Sequence, residues 1–181
     1  CVVARPLLWS METPHLYRLV SNVYVNSELW DTYETCFGFR TIRFDKDKGF
    51  FLNGQSVKLK GICLHHDLGP LGAAVNMRAI ERQLEIMQEM GCNAIRTSHN
   101  PPAPELLELC DRMGFVVQVE AFDEWRTGKN TNGYHCYFDD WAERDLQAMI
   151  RRDRNHPSVI MWSIGNEVRE QGKVEGAEIA R

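Results

Sequence analysis

Asn93-Ala94-Ile95-Arg96, then Pro104 through Met113 closed by Gly114, then Phe115-Val116-Val117-Gln118-Val119, is the stretch that decides the fold. The first run is a short strand. Residues 104–113 carry Leu106, Leu107 and Cys110 as the apolar side of a helix, and Gly114 stops it. The third run is apolar almost throughout, as a strand buried on both faces should be. Strand, helix and strand in this order predict a parallel pair joined by a covering helix.

The alternation continues on both sides. Upstream, Val57 to Leu64 is strand-like, and residues 77–90 read as a helix with Met77, Ile80, Leu84 and Met87 in helical register. Asn76 can cap its start and Gly91 ends it. Downstream, Phe138 to Arg154 reads as a helix with Trp141, Leu146, Met149 and Ile150 inward. Ser158 to Trp162 is a fourth strand, and Val174 to Arg181 begins a fourth helix. Four such units are half of a (β/α)8 TIM barrel, an α/β fold. A doubly wound sheet usually carries a Gly-rich phosphate turn after its first strand. Here that turn is His65-His66-Asp67-Leu68-Gly69, which is no such motif.

The first 55 or so residues have a different rhythm. His15 to Val20, Val23-Tyr24-Val25 and Glu34 to Phe44, the last interrupted at Gly38, are rich in β-branched and aromatic residues. A polar turn at Asp45 to Gly49, a strand at Phe50-Phe51-Leu52 and the Asn53-Gly54 hairpin signal follow. Short antiparallel strands with close turns suggest the end of a β-sandwich.

The 181 residues are 44% hydrophobic and 25% charged, with a net charge of −4. That is a globular composition, and its mild acidity points to neither nucleic acid nor an anionic membrane as partner. No apolar run approaches the roughly 20 residues of a membrane helix. Cys1-Val2-Val3-Ala4-Arg5 lacks a signal-peptide pattern, which leaves the compartment open between cytoplasm, periplasm and secretion. The six cysteines (Cys1, Cys36, Cys63, Cys92, Cys110, Cys136) are scattered singly and read as buried free thiols, not zinc ligands.

Polar residues gather after every predicted barrel strand: His65, His66 and Asp67; Arg96, Ser98, His99 and Asn100; Glu120, Asp123 and Glu124; Asn166 and Glu167. That rim is where barrel chemistry sits. Glu167 follows an apolar strand directly and is expected to face the mouth, partly desolvated by Trp162, in the position of a general acid. The alternative is that it caps the helix near Val174. Asn166 offers an amide for a sugar hydroxyl. Arg96 can hold a site carboxylate ionised, or form a structural ion pair across the rim. His99 and His65 can contact sugar hydroxyls, while His66, adjacent in the strand, points the other way. Glu120 can support Arg96 or His99 from behind. Trp125 can stack on a sugar face or pack in its loop. Thr127 to Gly133 is a polar loop on the same rim.

These residues carry a resemblance. Asp153 to Glu167, ending Trp162-Ser163-Ile164-Gly165-Asn166-Glu167, resembles the acid/base signature of glycoside hydrolase family 2. Asn93 to Pro101, followed by Cys110 to Gly114, resembles that family's other signature, departing at Asn100, where tyrosine is common. Phe37-Gly38-Phe39-Arg40, Phe51 to Gly54 and Lys60-Gly61 resemble the join between its immunoglobulin-like domain and its barrel. The resemblance covers essentially the whole chain. It implies residues 1–45 as the C-terminal part of an immunoglobulin-like β-sandwich and residues 46–181 as the N-terminal half of the catalytic barrel.

Family members are retaining exo-glycosidases. The resemblance implies Glu167 as acid/base, Asn166 on the sugar 2-hydroxyl, and Arg96, His99, His65 and Glu120 in the glycone pocket. Gly165 to Val168 and the His-His-Asp stretch are more like the β-galactosidases than the β-glucuronidases. The implied partner is a β-galactoside, met by a homo-oligomer, with no cofactor required. Some family β-galactosidases bind Mg2+ through the acid/base glutamate, a glutamate matching Glu124 and a histidine two residues on, but that last position is Arg126 here. The family's nucleophile comes from a later, seventh strand. The chain therefore reads as an internal segment, inactive alone, or as a sugar-binding remnant.

Overall fold

The computed structural model describes residues 2–181. It opens with an antiparallel ribbon of β1 (Tyr17–Val25) and β2 (Glu28–Phe37). Their turn, Asn26-Ser27, has φ of 49° and 68°, the left-handed pair that joins twisted strands in two residues. The two runs expected before and after Asn22 are one strand, with a register shift between Val23 and Tyr24.

The run expected from Glu34 to Phe44 divides. After Phe37 the chain leaves the ribbon and crosses to the barrel. Gly38 lies against Trp9 and Pro157, where a Cβ would collide. The Arg40 guanidinium donates to the carbonyls of Pro157 and Val159. Pairing with β1 ends here, since Arg40 bonds to the barrel and the Phe39 carbonyl accepts from Trp9 N at 2.8 Å.

A second antiparallel sheet, β3 (Ile42–Asp45), β4 (Gly49–Leu52) and β5 (Gln55–Val57), follows in that order. Asp45 ends β3 and Lys46 opens the turn to β4, and the domain boundary was expected between these two residues. Asn53-Gly54 turns the chain into β5 with φ of 50° and 79°, as its sequence predicts. Val57 ends β5 and does not begin the next strand. The side chain of Asn93 pins this connection, accepting from Lys60 N at 2.8 Å and donating to Lys58 O at 3.0 Å.

The barrel half is a four-stranded parallel sheet in sequential order: β6 (Gly61–His65), β7 (Ala94–Ser98), β8 (Val116–Glu120) and β9 (Val159–Ser163). Helices α1 (Met77–Glu89), α2 (Pro104–Met113), α3 (Phe138–Asp153) and α4 (Val174–Ile179) follow the four strands. Asn76 caps α1 by accepting from Ala79 N at 3.0 Å. Gly114 closes α2 at φ 79°, pressed so close to Met11 O that no Cβ would fit.

Two cores hold this together. The larger lies between sheet and helices, with Leu84, Leu107, Val117, Val119 and Phe138 among its members. The smaller gathers Trp9, Phe50, Leu52, Ala94, Val116 and Ile160. Ala94 and Val116 begin their strands and Ile160 is second in its own, so this cluster closes the N-terminal end of the sheet and leaves the opposite end to the polar rim. Each large apolar side chain so buried contributes roughly 1.5–3 kcal/mol. Trp9 Nε1 donates to Asp111 O at 2.8 Å, tying the N-terminal segment to α2.

Three expectations are corrected. Trp141 is 41% exposed, with the Arg144 guanidinium 4.6 Å from its ring centre. The inward stripe of α3 runs through Phe138, Ala142, Leu146, Met149 and Ile150, and Trp141 falls one residue off it. Met77 is exposed at the first turn of α1. Of the five described cysteines, all free, only Cys110 is buried; Cys36 is on the ribbon and Cys63 on the rim-bearing face of β6, and Cys1 lies outside the described residues.

Candidate active site

The alternation of a strand sends Arg96, Glu120 and Ser163 to one face of the sheet, near its carboxyl end. There the Glu120 carboxylate, with no exposed surface, accepts from Arg96 Nη2 at 2.6 Å, His99 Nδ1 at 2.6 Å and Ser163 Oγ at 2.9 Å. Its own backbone N–H donates to Thr97 Oγ1 at 3.0 Å. A buried carboxylate is tolerated only when so paired. Arg96 Nη2 reaches a second acceptor, Asn166 Oδ1, at 2.8 Å, and Nη1 reaches Cys63 Sγ at 3.5 Å. Hydrogen bonds from Arg96 and Ser98 pull the Cys63 thiol below its usual range, against burial. The His65 ring meets His99 edge-on, centroids 5.2 Å apart, while His66 turns to the Ala73 carbonyl at 2.8 Å.

Asn166 is buried and held at four points. Its backbone N–H donates to Phe122 O at 3.0 Å, and its backbone O accepts from Lys129 Nζ at 2.8 Å. Its side chain donates to Asp123 Oδ1 at 2.9 Å and accepts from Arg96. Burial pushes the Asp123 carboxyl up, but hydrogen bonds from Lys129 and Asn166 outweigh it and leave the group below the usual carboxylate range.

Glu167 follows at φ 44°, the left-handed region that a residue with a Cβ avoids. Such a conformation costs of order 1–3 kcal/mol and persists only where the surroundings enforce it. The expected desolvation by Trp162 is absent: Glu167 is exposed, and Trp162 packs against the core on the helix side of the sheet. The helix starts at Val174 and Lys173 occupies its cap position, so Glu167 is not its cap.

The connection from β8 to α3 folds back on Glu124. Glu124 accepts from Lys129 N at 2.5 Å, His135 N at 2.9 Å and His135 Nδ1 at 2.8 Å. Burial pushes this carboxyl up, but those bonds pull it down to about 2. Gly133 is there because a Cβ would overlap Glu124 Oε1. Arg126 points elsewhere, to Asp139 at 2.5 Å and Glu175 at 3.4 Å. A magnesium site does not fit these residues, since the loop already engages both Glu124 oxygens and the third ligand position is a cation paired with carboxylates. Among the described residues no cluster of three metal-binding side chains occurs.

Trp125 does not reach the rim. It is buried in the larger core beside Phe138, and its Nε1 donates to Ile164 O at 2.7 Å. A cavity of about 490 Å3 opens beside the rim between His99, Asp123, Tyr134 and Arg152. Sequence reasoning missed Ser163, Thr97 and Glu170. The last is a fully buried carboxylate that receives Thr127 N at 2.6 Å and anchors the start of the loop. None of the three has a spacing signal, because each acts across separate elements. Lys129 was visible only as part of a polar loop.

Ionisable groups converging on the carboxyl end of a parallel, helix-covered sheet define a TIM-barrel type of enzyme site. Comparison with known proteins agrees. The description "Glycosyl hydrolases family 2, TIM barrel domain" matches residues 44–180, and "Glycosyl hydrolases family 2" matches residues 1–40. The chain belongs to glycosyl hydrolase family 2.

Similar to it is Beta-galactosidase BoGH2A of Bacteroides ovatus, 63% identical over 93% of this chain and 20% of that protein. A putative beta-glucuronidase of Formosa agariphila is 41% identical over 91% of this chain and 16% of its own length. Among solved structures, a family 2 member from Bacteroides cellulosilyticus superposes with a TM-score of 0.93 at 48% identity, over 98% of this chain and 23% of that one. The Parabacteroides merdae beta-glucuronidase gives 0.81 at 30% identity, over 98% and 22%. The chain thus spans 16% to 23% of the length of these relatives.

Proposed function

We propose that the enzyme carrying these residues is a retaining exo-glycosidase that hydrolyses terminal β-D-galactosides, with Glu167 as its general acid/base. The observation that carries this reading is the chain of contacts from Glu120 through Arg96 to Asn166, which delivers Glu167 to the rim in a strained turn. Glu167 protonates the departing glycosidic oxygen and then deprotonates the attacking water. Asn166 Nδ2 has a second N–H beyond the one given to Asp123, available to a sugar hydroxyl. His65 and His99 border the same space. Glu120 is not the nucleophile in this scheme, because its oxygens already hold Arg96, His99 and Ser163. A retaining mechanism places a second carboxylate about 5–5.5 Å from the acid, and we assign it to a later barrel strand. The 63% identical relative bearing the name β-galactosidase supports the choice of sugar.

A β-glucuronidase is the second reading, favoured by the name of the P. merdae structure. Parallel assays of aryl β-galactosides and aryl β-glucuronides separate the two, and faster turnover of the glucuronide reverses our choice. Glu167→Gln tests the role itself. Turnover of a phenyl glycoside, whose leaving group needs a proton, should fall about 10²–10⁴-fold. An unchanged rate on that substrate sinks the assignment. Sugar binding by calorimetry with no turnover of any glycoside would instead mark a non-catalytic binding protein.

A further inference from the structure

Lys129 lies in the connection between β8 and α3, away from the strand ends that supply the other groups. Its side chain is 21% exposed, and its ammonium donates to Asp123 Oδ1 at 2.8 Å and to the backbone carbonyl of Asn166 at 2.8 Å. That carbonyl belongs to the peptide joining Asn166 to Glu167. A peptide plane is shared by the ψ of one residue and the φ of the next. Whatever holds this oxygen therefore holds the φ of Glu167, which is 44°. Released, a glutamate leaves the left-handed region, because its Cβ crowds a neighbouring carbonyl there. The peptide then rotates and the carboxylate swings away.

An ammonium suits this task. It carries three donors and places a full charge at the negative end of the carbonyl dipole. Asp123 completes the arrangement, since one oxygen accepts both Lys129 Nζ and Asn166 Nδ2. The main chain and side chain of Asn166 are thus gripped from one point, with Arg96 on the far side. Lys129 is itself held in place: its N–H is bonded to Glu124, whose other oxygen takes His135.

We infer that Lys129, together with Asp123, is a positioning residue that locks the Asn166–Glu167 peptide and so aims the Glu167 carboxylate at the glycosidic oxygen. The inference rests on the acid/base reading of Glu167. Lys129 touches no substrate in this role. Its loss should appear only in steps that depend on proton transfer by Glu167.

The test uses Lys129→Met in the full-length enzyme with two substrates, a phenyl and a 2,4-dinitrophenyl β-galactoside. The second has a leaving group that departs without a proton. The expected result is a kcat lowered about tenfold or more on the phenyl substrate, a fraction of the full general-acid effect. Glycosyl-enzyme formation from the dinitrophenyl substrate should stay within about twofold, while its steady-state kcat and KM fall together, because hydrolysis of the glycosyl-enzyme still needs Glu167 as base. Azide attacks a glycosyl-enzyme without base assistance, so it should recover part of the lost turnover of the dinitrophenyl substrate. Lys129→Arg, which keeps a cation, should recover most of the phenyl rate. Equal losses in glycosyl-enzyme formation from both substrates, or no loss from either, overturn the inference.

Glu167→Gln is run alongside. If that variant shows the leaving-group dependence and Lys129→Met does not, only the role of Lys129 falls. If Glu167→Gln lacks it as well, the acid/base reading falls. Should Lys129→Met melt below the assay temperature, Asp123→Asn is read by the same two criteria.

Discussion

Glu120 shows what one side chain can organise. It has no exposed surface, yet three donors from the ends of two strands, Arg96 and His99 from β7 and Ser163 from β9, converge on it. Removing it strands the Arg96 guanidinium and the His99 ring, which are 28% and 21% exposed. Breaking a buried charge pair from one side costs about 3–5 kcal/mol, and the partial exposure of Arg96 trims this to about 2–4 kcal/mol. Glu120→Ala should lower stability by that amount in urea unfolding of the full-length enzyme. A change under about 1 kcal/mol would falsify the pairing as described. The residue types were legible in the sequence, since Arg96, His99 and Glu120 each follow an apolar run. The support of Arg96 or His99 by Glu120 was expected as well; that one carboxylate holds both at once, 24 and 21 residues away along the chain, together with Ser163, was not. The two tryptophans make the opposite point. Trp125 and Trp141 were read by residue type: of the two places open to Trp125 the structure shows packing and not the rim, and Trp141 is exposed where it was expected inward. Packing of the nearest helix face decides that, and an aromatic ring suits either environment.

At the scale of elements, the strands and helices of the barrel half follow from periodicity, and their predicted bounds are close to those observed except for the first strand, which starts at Gly61 and not at Val57. The connections are another matter. The segment from Glu124 to His135 was legible only as polar and glycine-bearing. Its shape is dictated by one carboxylate buried under its own backbone N–H groups. The consequence is pH-dependent. The Glu124 carboxyl falls from 4.5 to about 2 on folding. A depressed carboxyl stabilises the loop fully above the unfolded value and loses that contribution as pH falls through the folded one. Hydrogen exchange of the Lys129 and His135 amides, corrected for intrinsic rates, should therefore accelerate between about pH 4.5 and pH 2 relative to the α2 amides. Protection that is constant over that window would contradict the arrangement. Glu124→Gln, which keeps the acceptor but cannot ionise, should flatten the dependence.

At the scale of the whole molecule, the described sheet ends at β6 on one side and β9 on the other, each with an unpaired edge. The ribbon of β1 and β2 adds exposed apolar side chains, with Trp30 and Tyr33 at 70% and 69%. Open edges and apolar patches invite pairing with another chain. The 181-residue polypeptide expressed alone should self-associate or precipitate, and sedimentation velocity reads this directly. A single well-behaved species at 20.9 kDa would count against it.

The sequence by itself determined the parallel half-barrel, because buried-strand and helix periods are local and repeat four times. It also determined which residue types reach the rim, because a strand end fixes where its next residues emerge. Tertiary structure alone decided which of them act together. The clamp on Asn166 joins Arg96, Asp123, Lys129 and Phe122 from three separate segments. The strained φ of Glu167 follows from that clamp, because a left-handed glutamate is unfavourable in its local sequence and exists only where distant partners hold it.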